Sequence, residues 1–165
     1  MLPPSIRAAL VQRAFSMLDS LVRRRAREKA PAHLLIGVQG EDAAFFHLLS
    51  KGYNVVARRW SARKLPGDVD LIAWQGDLLC FFEVKARTKR DLTPAHVAVD
   101  QHKRRVLRRL ARAYLRQLPR NASAVPRPNV RFDVIAVYLI PGCDPEIEHF
   151  ENSFGWSERR DWHEN

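Results

Sequence analysis

The sequence is poor in cysteine: Cys80 and Cys143 are the only two among 165 residues, and neither belongs to a CxxC pair or a Cys/His cluster. That scarcity argues against a disulfide framework and against a structural zinc site. Cys80 lies inside an apolar run, where a free cysteine behaves as a small hydrophobe, so an inert core residue is expected. Long apolar runs are missing too. Nothing approaches the ~20 consecutive apolar residues that span a bilayer, so no membrane partner is expected. The first residues are charged throughout and have no apolar stretch of the kind that marks a secretory signal, which makes the cytoplasm the expected compartment. Acid is the third shortage. Against 28 Lys+Arg stand 18 Asp+Glu, a formal charge of +10 with a pI near 10.4. A balance that basic points to a polyanionic partner, nucleic acid first.

What remains is the composition of a globular chain, 46% hydrophobic and 28% charged, long enough to bury a core in one domain with an appended segment. Residues 1–33 read as a basic amphipathic helical extension, 34–154 as the principal domain and 155–165 as a tail. In the extension Ile6, Leu10, Ala14, Met17, Leu18 and Leu21 recur at three- and four-residue steps before the run RRRAREK. A helix packed on the domain with a solvated basic end fits that pattern somewhat better than a basic arm for nucleic acid or an acidic surface. A helix is predicted over about 38–51 with Gly52 as its stop, then a strand over 53–60. The segment 67–87, GDVDLIAWQGDLLCFFEVKAR, reads as a greasy β-hairpin. Thr93-Pro94 has the form of a helix start, with Pro tolerated at the first helical position, and a long helix is predicted from there to about Gln117. VRFDVIAVYLI (130–140) is a strongly apolar strand and EIEHFENSF (146–154) a short edge strand. A helix between two strands suggests a crossover into a mixed sheet covered by helices, an α/β fold that buries both faces of the hairpin.

The hairpin carries acids near its open ends, and these need a reason. With Gly76-Asp77 at the centre of a two-residue turn, Gln75 faces Leu78, Trp74 faces Leu79, Ile72 faces Phe81, Asp70 faces Glu83 and Asp68 faces Lys85. All of these then share one face of the sheet, while Val69, Leu71, Cys80, Phe82 and Val84 take the other. Directly opposed residues have Cβ atoms about 4.5–5.5 Å apart, and two carboxylates that close repel unless a cation or a proton lies between them. A divalent metal is the natural solution, and Mg²⁺ or Mn²⁺ suits carboxylate oxygens. Lys85 on the same face could steady a nucleophilic water or neutralise a phosphate. Metal-assisted phosphodiester hydrolysis needs these parts. An ordinary ion-pair ladder at a sheet end, Asp68 with Lys85 and Glu83 with Arg87, would use the same residues.

Taken in order, Gly40-Glu41, KGYNVVARRW, GDVDLIAW, FFEVKAR, a lysine-bearing helix and RFDVIAVY resemble the YraN-like bacterial proteins of the PD-(D/E)XK nuclease superfamily, over roughly residues 37–154. One departure is Asp68, where that family usually has Glu. The resemblance implies a restriction-endonuclease-like α-β-β-β-α-β core and an active site on Glu41, Asp70, Glu83 and Lys85, with Glu41, Asp70 and Glu83 as metal ligands. Glu41 enters only through the resemblance. The step from Asp70 to Glu83 also looks like that of archaeal Holliday-junction resolvases, which implies a structure-selective enzyme, DNA of branched or single-stranded form as partner, and a homodimer as an assembly to test.

The helix over 103–120 has eight Lys/Arg and no acid, and arginines at steps of three and four would neutralise phosphates. Lys103, Arg104 and Arg108 are therefore candidate nucleic-acid contacts, Lys103 nearest the cleft because it opens the helix. Arg63 and Lys64 join Arg58, Arg59 and Trp60 in an aromatic-plus-basic cluster beside the hairpin. Asp133 suits either a supporting role near the site or a strand-end hydrogen bond, and His47 a helix-surface or core place. The functional expectation is a metal-dependent DNA nuclease. A non-catalytic nucleic-acid binder on the same fold is the alternative, and a protein-interaction module using the basic arm is a third reading.

Overall fold

The structure is a computed structural model that describes residues 31–90, 99–118 and 128–157. The expected arm over 1–30, the Thr93-Pro94 helix start and most of the Pro-rich loop lie outside them. Two compact units divide the chain, residues 1–35 and 36–165. In chain order the elements are α1 (Ala32–Ser50), β1 (Asn54–Trp60), β2 (Val69–Gln75), β3 (Leu78–Arg87), α2 (Gln101–Gln117), β4 (Asn129–Tyr138) and β5 (Glu146–Phe154). The five strands form one sheet in the order β1-β2-β3-β4-β5. Its pairings are antiparallel except between β3 and β4, which run parallel and are joined through α2. This is the α/β, mixed-sheet order α-β-β-β-α-β that the sequence predicts, followed by the predicted edge strand.

The hairpin turns on Gly76 and Asp77, and Gln75↔Leu78 through Leu71↔Phe82 pair in the expected register. Gly76 has a φ of 58° and Asp77 does not share it, the type II′ pattern in which Gly is favoured first. Side chains leave the hairpin alternately. Ile72, Leu79 and Phe81 join Leu107 and Leu110 of α2 and Phe132 of β4 in one core. Leu71, Ala73, Cys80 and Phe82 join Ala44, Phe45 and Leu48 of α1 in the other. Two faces are thus buried against two helices, which is why the hairpin is apolar almost throughout. Cys80 is an inert member of that core, its thiol pushed up to about 12, chiefly by burial. Val69 breaks the alternation and packs in the α2 core. It lies beyond the residues paired with β3 and is held only by Trp60 of β1, so it does not follow the pleat of the hairpin.

Both helix starts differ from the prediction. α1 begins at Ala32, directly after Pro31, whose carbonyl accepts from Leu34 N–H at 3.0 Å. Gly37, a poor helix former, hid its first turns. α2 begins at Gln101, because the Asp100 carboxylate accepts the Lys103 N–H and caps the helix. Among the described residues, no helix is long and apolar enough to cross a membrane.

One glycine sets how close α1 comes to the sheet. A Cβ on Gly40 would stand 2.5 Å from the Ala86 Cβ of β3. In an ordinary helix interior Gly→Ala stabilises by about 1 kcal/mol. Here Gly40→Ala is expected to destabilise by about 1–3 kcal/mol through overpacking. Ala86→Gly added to it should restore part of the loss, which a double-mutant cycle of denaturation midpoints reads directly. A more stable single variant would show that α1 does not rest on β3 at this point.

Candidate active site

The β2–β3 ladder ends at Leu71↔Phe82. One residue beyond, Asp70 puts its side chain where a backbone partner would have been, and its Oδ2 accepts the Val84 N–H at 2.6 Å. β3 continues, held on its other side by β4 as far as Arg87↔Tyr138. Glu83 and Lys85 therefore stand on a fixed backbone although β2 has left. Phe81 faces the α2 core, so by alternation Glu83 and Lys85 face α2 as well.

Glu83 is the centre of the arrangement, its side chain 4% exposed. Lys85 Nζ donates to its Oε1 at 2.9 Å. Lys103, in the first turn of α2, brings its Nζ to 2.9 Å from Oε2. That second approach is an ion pair of poor hydrogen-bond angle, so the buried Oε2 is met by the Lys103 charge rather than by a well-directed hydrogen bond. Lys103 also reaches the Asp68 carbonyl at 3.5 Å. Burial acts on Lys103 most strongly and lowers its pKa, but Glu83, with Asp70 and Asp68 behind it, outweighs that and holds it above the ordinary value. The expected Asp68–Lys85 pairing gives way to Glu83–Lys85, because the strands no longer face each other beyond Leu71.

Glu41 comes from α1, on the opposite side of the sheet from α2. Both its oxygens are taken by Arg59, from Nε at 2.6 Å and from the terminal nitrogen at 2.7 Å. Its neighbour Asp42 pairs with Arg58 through one oxygen, Oδ1. Among the described residues, no three His, Cys, Asp or Glu side chains converge tightly enough to chelate an ion. Asp70 and Glu83 are brought together; Glu41 lies close enough to act on the Asp70 charge but is held by Arg59.

The basic candidates separate. Arg63 and Lys64 are exposed on the loop leading into β2. Arg108 turns inward, 6% exposed, donating to the Gly155 carbonyl at 2.7 Å and lying over the Phe154 ring. Arg104 donates to the Val99 carbonyl and also covers Phe154. These two grip the end of β5 and are not part of an outward basic face. Other arginines of the same basic helix, not singled out among the candidates, carry that face: Arg105, Arg109, Arg112 and Arg116 are exposed. Their spacing of four, three and four was the available signal. Trp60 packs edge-on against Tyr114 at 5.2 Å rather than facing solvent.

Asp133 belongs to another network. It is fully buried at the β4–β5 bulge, where it accepts from Arg131, from the Asn152 N–H at 2.9 Å, and lies 2.9 Å from His149 Nε2. Neither the supporting role nor the strand-end bond describes it: it satisfies the backbone that the bulge leaves unpaired. His47 is half-buried, its ring 6.4 Å from that of His149.

Residues 40–137 match the family described as "Uncharacterised protein family UPF0102". A UPF0102 protein of Koribacter versatilis is 41% identical over 87% of this chain and 93% of its own length. One from Rhodococcus opacus is 42% identical over 74% and 98% respectively, and one from Pelotomaculum thermopropionicum 38% over 76% and 99%.

Burial first, and then the Glu83 charge, push the Asp70 carboxyl up to about 8, against smaller downward pulls from the Val84 N–H and Lys103. Between its ordinary 3.8 and about 8 the folded protein therefore holds a proton that the unfolded chain has released. The stability this adds is complete below the lower value and is lost as pH rises through the upper one. Asp70→Asn, which keeps an acceptor for Val84 but cannot ionise, should flatten that decline in thermal melts. Above about pH 8 it should melt higher than the native chain, by about 2–4 °C for each kcal/mol recovered. Equal pH profiles for the two would show that Asp70 is ionised at neutral pH after all.

Proposed function

The chain belongs to UPF0102, a family of the PD-(D/E)XK nuclease superfamily, and on that premise we propose that it is a metal-dependent nuclease hydrolysing DNA phosphodiester bonds. The observation that carries the reading is Glu83: a buried carboxylate, both oxygens met by lysine ammonium groups, beside a second carboxylate. Like charges held together at depth are unfavourable unless something positive is shared between them. Two carboxylates with no sulfur or imidazole beside them suit a hard divalent cation, Mg²⁺ or Mn²⁺.

Asp70 and Glu83 would hold the ion, with Glu41 as a third ligand. Such an ion supplies polarisation of a phosphoryl oxygen and a more acidic water. The remaining work falls to the chain's own groups. Lys85, fixed against Glu83 Oε1, orients the attacking water and offsets the charge that develops on the phosphate. Lys103 fixes the other edge of the same carboxylate, so its orientation is set before substrate arrives. Arg105, Arg109, Arg112 and Arg116, with Arg63 and Lys64, attract the polyanion by counterion release, giving affinity that falls steeply with salt. Branched or single-stranded DNA is the substrate form we favour.

Incubation of the purified chain with Mg²⁺ or Mn²⁺ and duplex, single-stranded, flap and four-way DNA should yield cleavage. Glu83→Ala and Lys85→Ala should each reduce it by about 10²-fold or more. Mn²⁺ binding should tighten as pH rises through about 8, since the ion needs Asp70 ionised and must release its proton. If salt-sensitive DNA binding persists while no substrate is cut and alanine at Asp70, Glu83 and Lys85 changes nothing, the chain is a nucleic-acid binder on a nuclease fold instead.

A further inference from the structure

Two successive arginines of β1, Arg58 and Arg59, engage two successive acids of α1, Asp42 and Glu41. In a regular strand neighbouring side chains leave opposite faces, so both should not reach one helix. They do because Arg59 has a φ of 47°, a left-handed conformation that is unfavourable for a residue with a long side chain. The two pairs are not equivalent. Arg58 is turned inward, its side chain 12% exposed and its guanidinium 4.7 Å from the centre of the Phe45 ring, where it ties α1 to β1. Arg59 is 39% exposed and presents its fork from the solvent side. Docking of α1 is already served by Arg58 and by the Gly40–Ala86 contact.

The position of Arg59 relative to the acids gives it another role. Its charged form is favoured first by the hydrogen bonds to Glu41, against the effect of burial, and then by the charges of Glu41, Asp68 and Asp70. Glu83 has Lys85 and Lys103 on its two oxygens, and Glu41 has both of its own on Arg59. Both Glu41 oxygens are thus engaged by the Arg59 fork, and turning the carboxylate toward Asp70 and Glu83 draws it off that fork. A guanidinium so released would point from a solvent-facing position toward whatever anion approaches the acid cluster, with a fork that matches two oxygens of a phosphate.

We propose, resting on the metal-centre reading above, that Arg59 is a resident counter-cation that holds Glu41 off the acid pair, and that a divalent ion and a nucleic-acid phosphate displace it together. Glu41 passes to the ion and the Arg59 fork to a phosphate oxygen. Each charge exchanges one opposite partner for another, so neither is left bare. Binding of ion and nucleic acid is then mutually reinforcing, as reciprocity of coupling requires.

The test uses the full chain with Arg59→Asn and Arg59→Gly, both residues that tolerate the left-handed backbone, and with Arg59→Lys, which keeps the charge but not the fork. Mn²⁺ binding is followed by electron paramagnetic resonance without nucleic acid, and affinity for a short duplex is measured with and without Ca²⁺. The Asn and Gly variants should bind Mn²⁺ about tenfold more tightly than the native chain and lose the enhancement of duplex binding by Ca²⁺, with Lys falling between. Variants that melt like the native chain yet bind Mn²⁺ no more tightly, or keep the full Ca²⁺ enhancement, would overturn the role of Arg59. If the native chain binds Mn²⁺ in a Glu83-dependent way, that failure is confined to Arg59. If neither native chain nor variants bind Mn²⁺, the metal-centre reading fails and this inference with it.

Discussion

At Leu71 the backbone ladder between β2 and β3 ends, while β3 stays paired with β4 for five residues more. That asymmetry is the constraint around which the site is arranged. A strand held on one side only has backbone groups to satisfy on the other, and Asp70 meets the need by accepting the Val84 N–H. The same bond draws a carboxylate toward Glu83. Had the ladder continued, Asp70 would have been one more alternating side chain; had β3 ended with β2, Glu83 and Lys85 would have had no fixed frame. Two acids are kept close because one of them replaces a piece of missing sheet.

The two helices bring charges of opposite sign to the site. α2 brings Lys103 to Glu83, and its start is placed by the Asp100 cap. α1 lies close enough for Glu41 to enter the field of Asp70 because Gly40 has no Cβ to meet Ala86. Charge compensation is therefore assembled from separate elements: Lys85 from β3, Lys103 from α2 and Arg59 from β1. Asp70 is the acid without a cation of its own, and that is why burial and Glu83 move its titration so far. A cluster with this balance is stable with a proton aboard and receptive to a stronger cation when the proton leaves.

The misreadings have separate physical causes. Arg104 and Arg108 were expected on a basic outer face, yet they cover Phe154 and bond backbone carbonyls. A long arginine side chain can lie along apolar surface with its head group bonded, so helical spacing alone does not say which arginines face out. Asp133 was expected near the site or at a strand end, but the bulge in β4–β5 gave it a local partner set that no strand periodicity announces. Val69 and the Asp68–Lys85 pairing failed for a simpler reason, since extrapolating a register assumes that the ladder goes on.

The sequence by itself determined the α-β-β-β-α-β order, the hairpin register from Gln75↔Leu78 to Leu71↔Phe82, and the placing of Asp70, Glu83 and Lys85 near one another. These are local properties: a two-residue turn and a period of two leave little freedom over a few residues. Tertiary structure alone decided that Lys103 reaches Glu83, that Arg59 holds Glu41, and that Asp70 replaces a ladder partner. Each joins elements distant along the chain, and its outcome depends on where packing stops a helix or frees a strand. Spacing between residues carries no record of that.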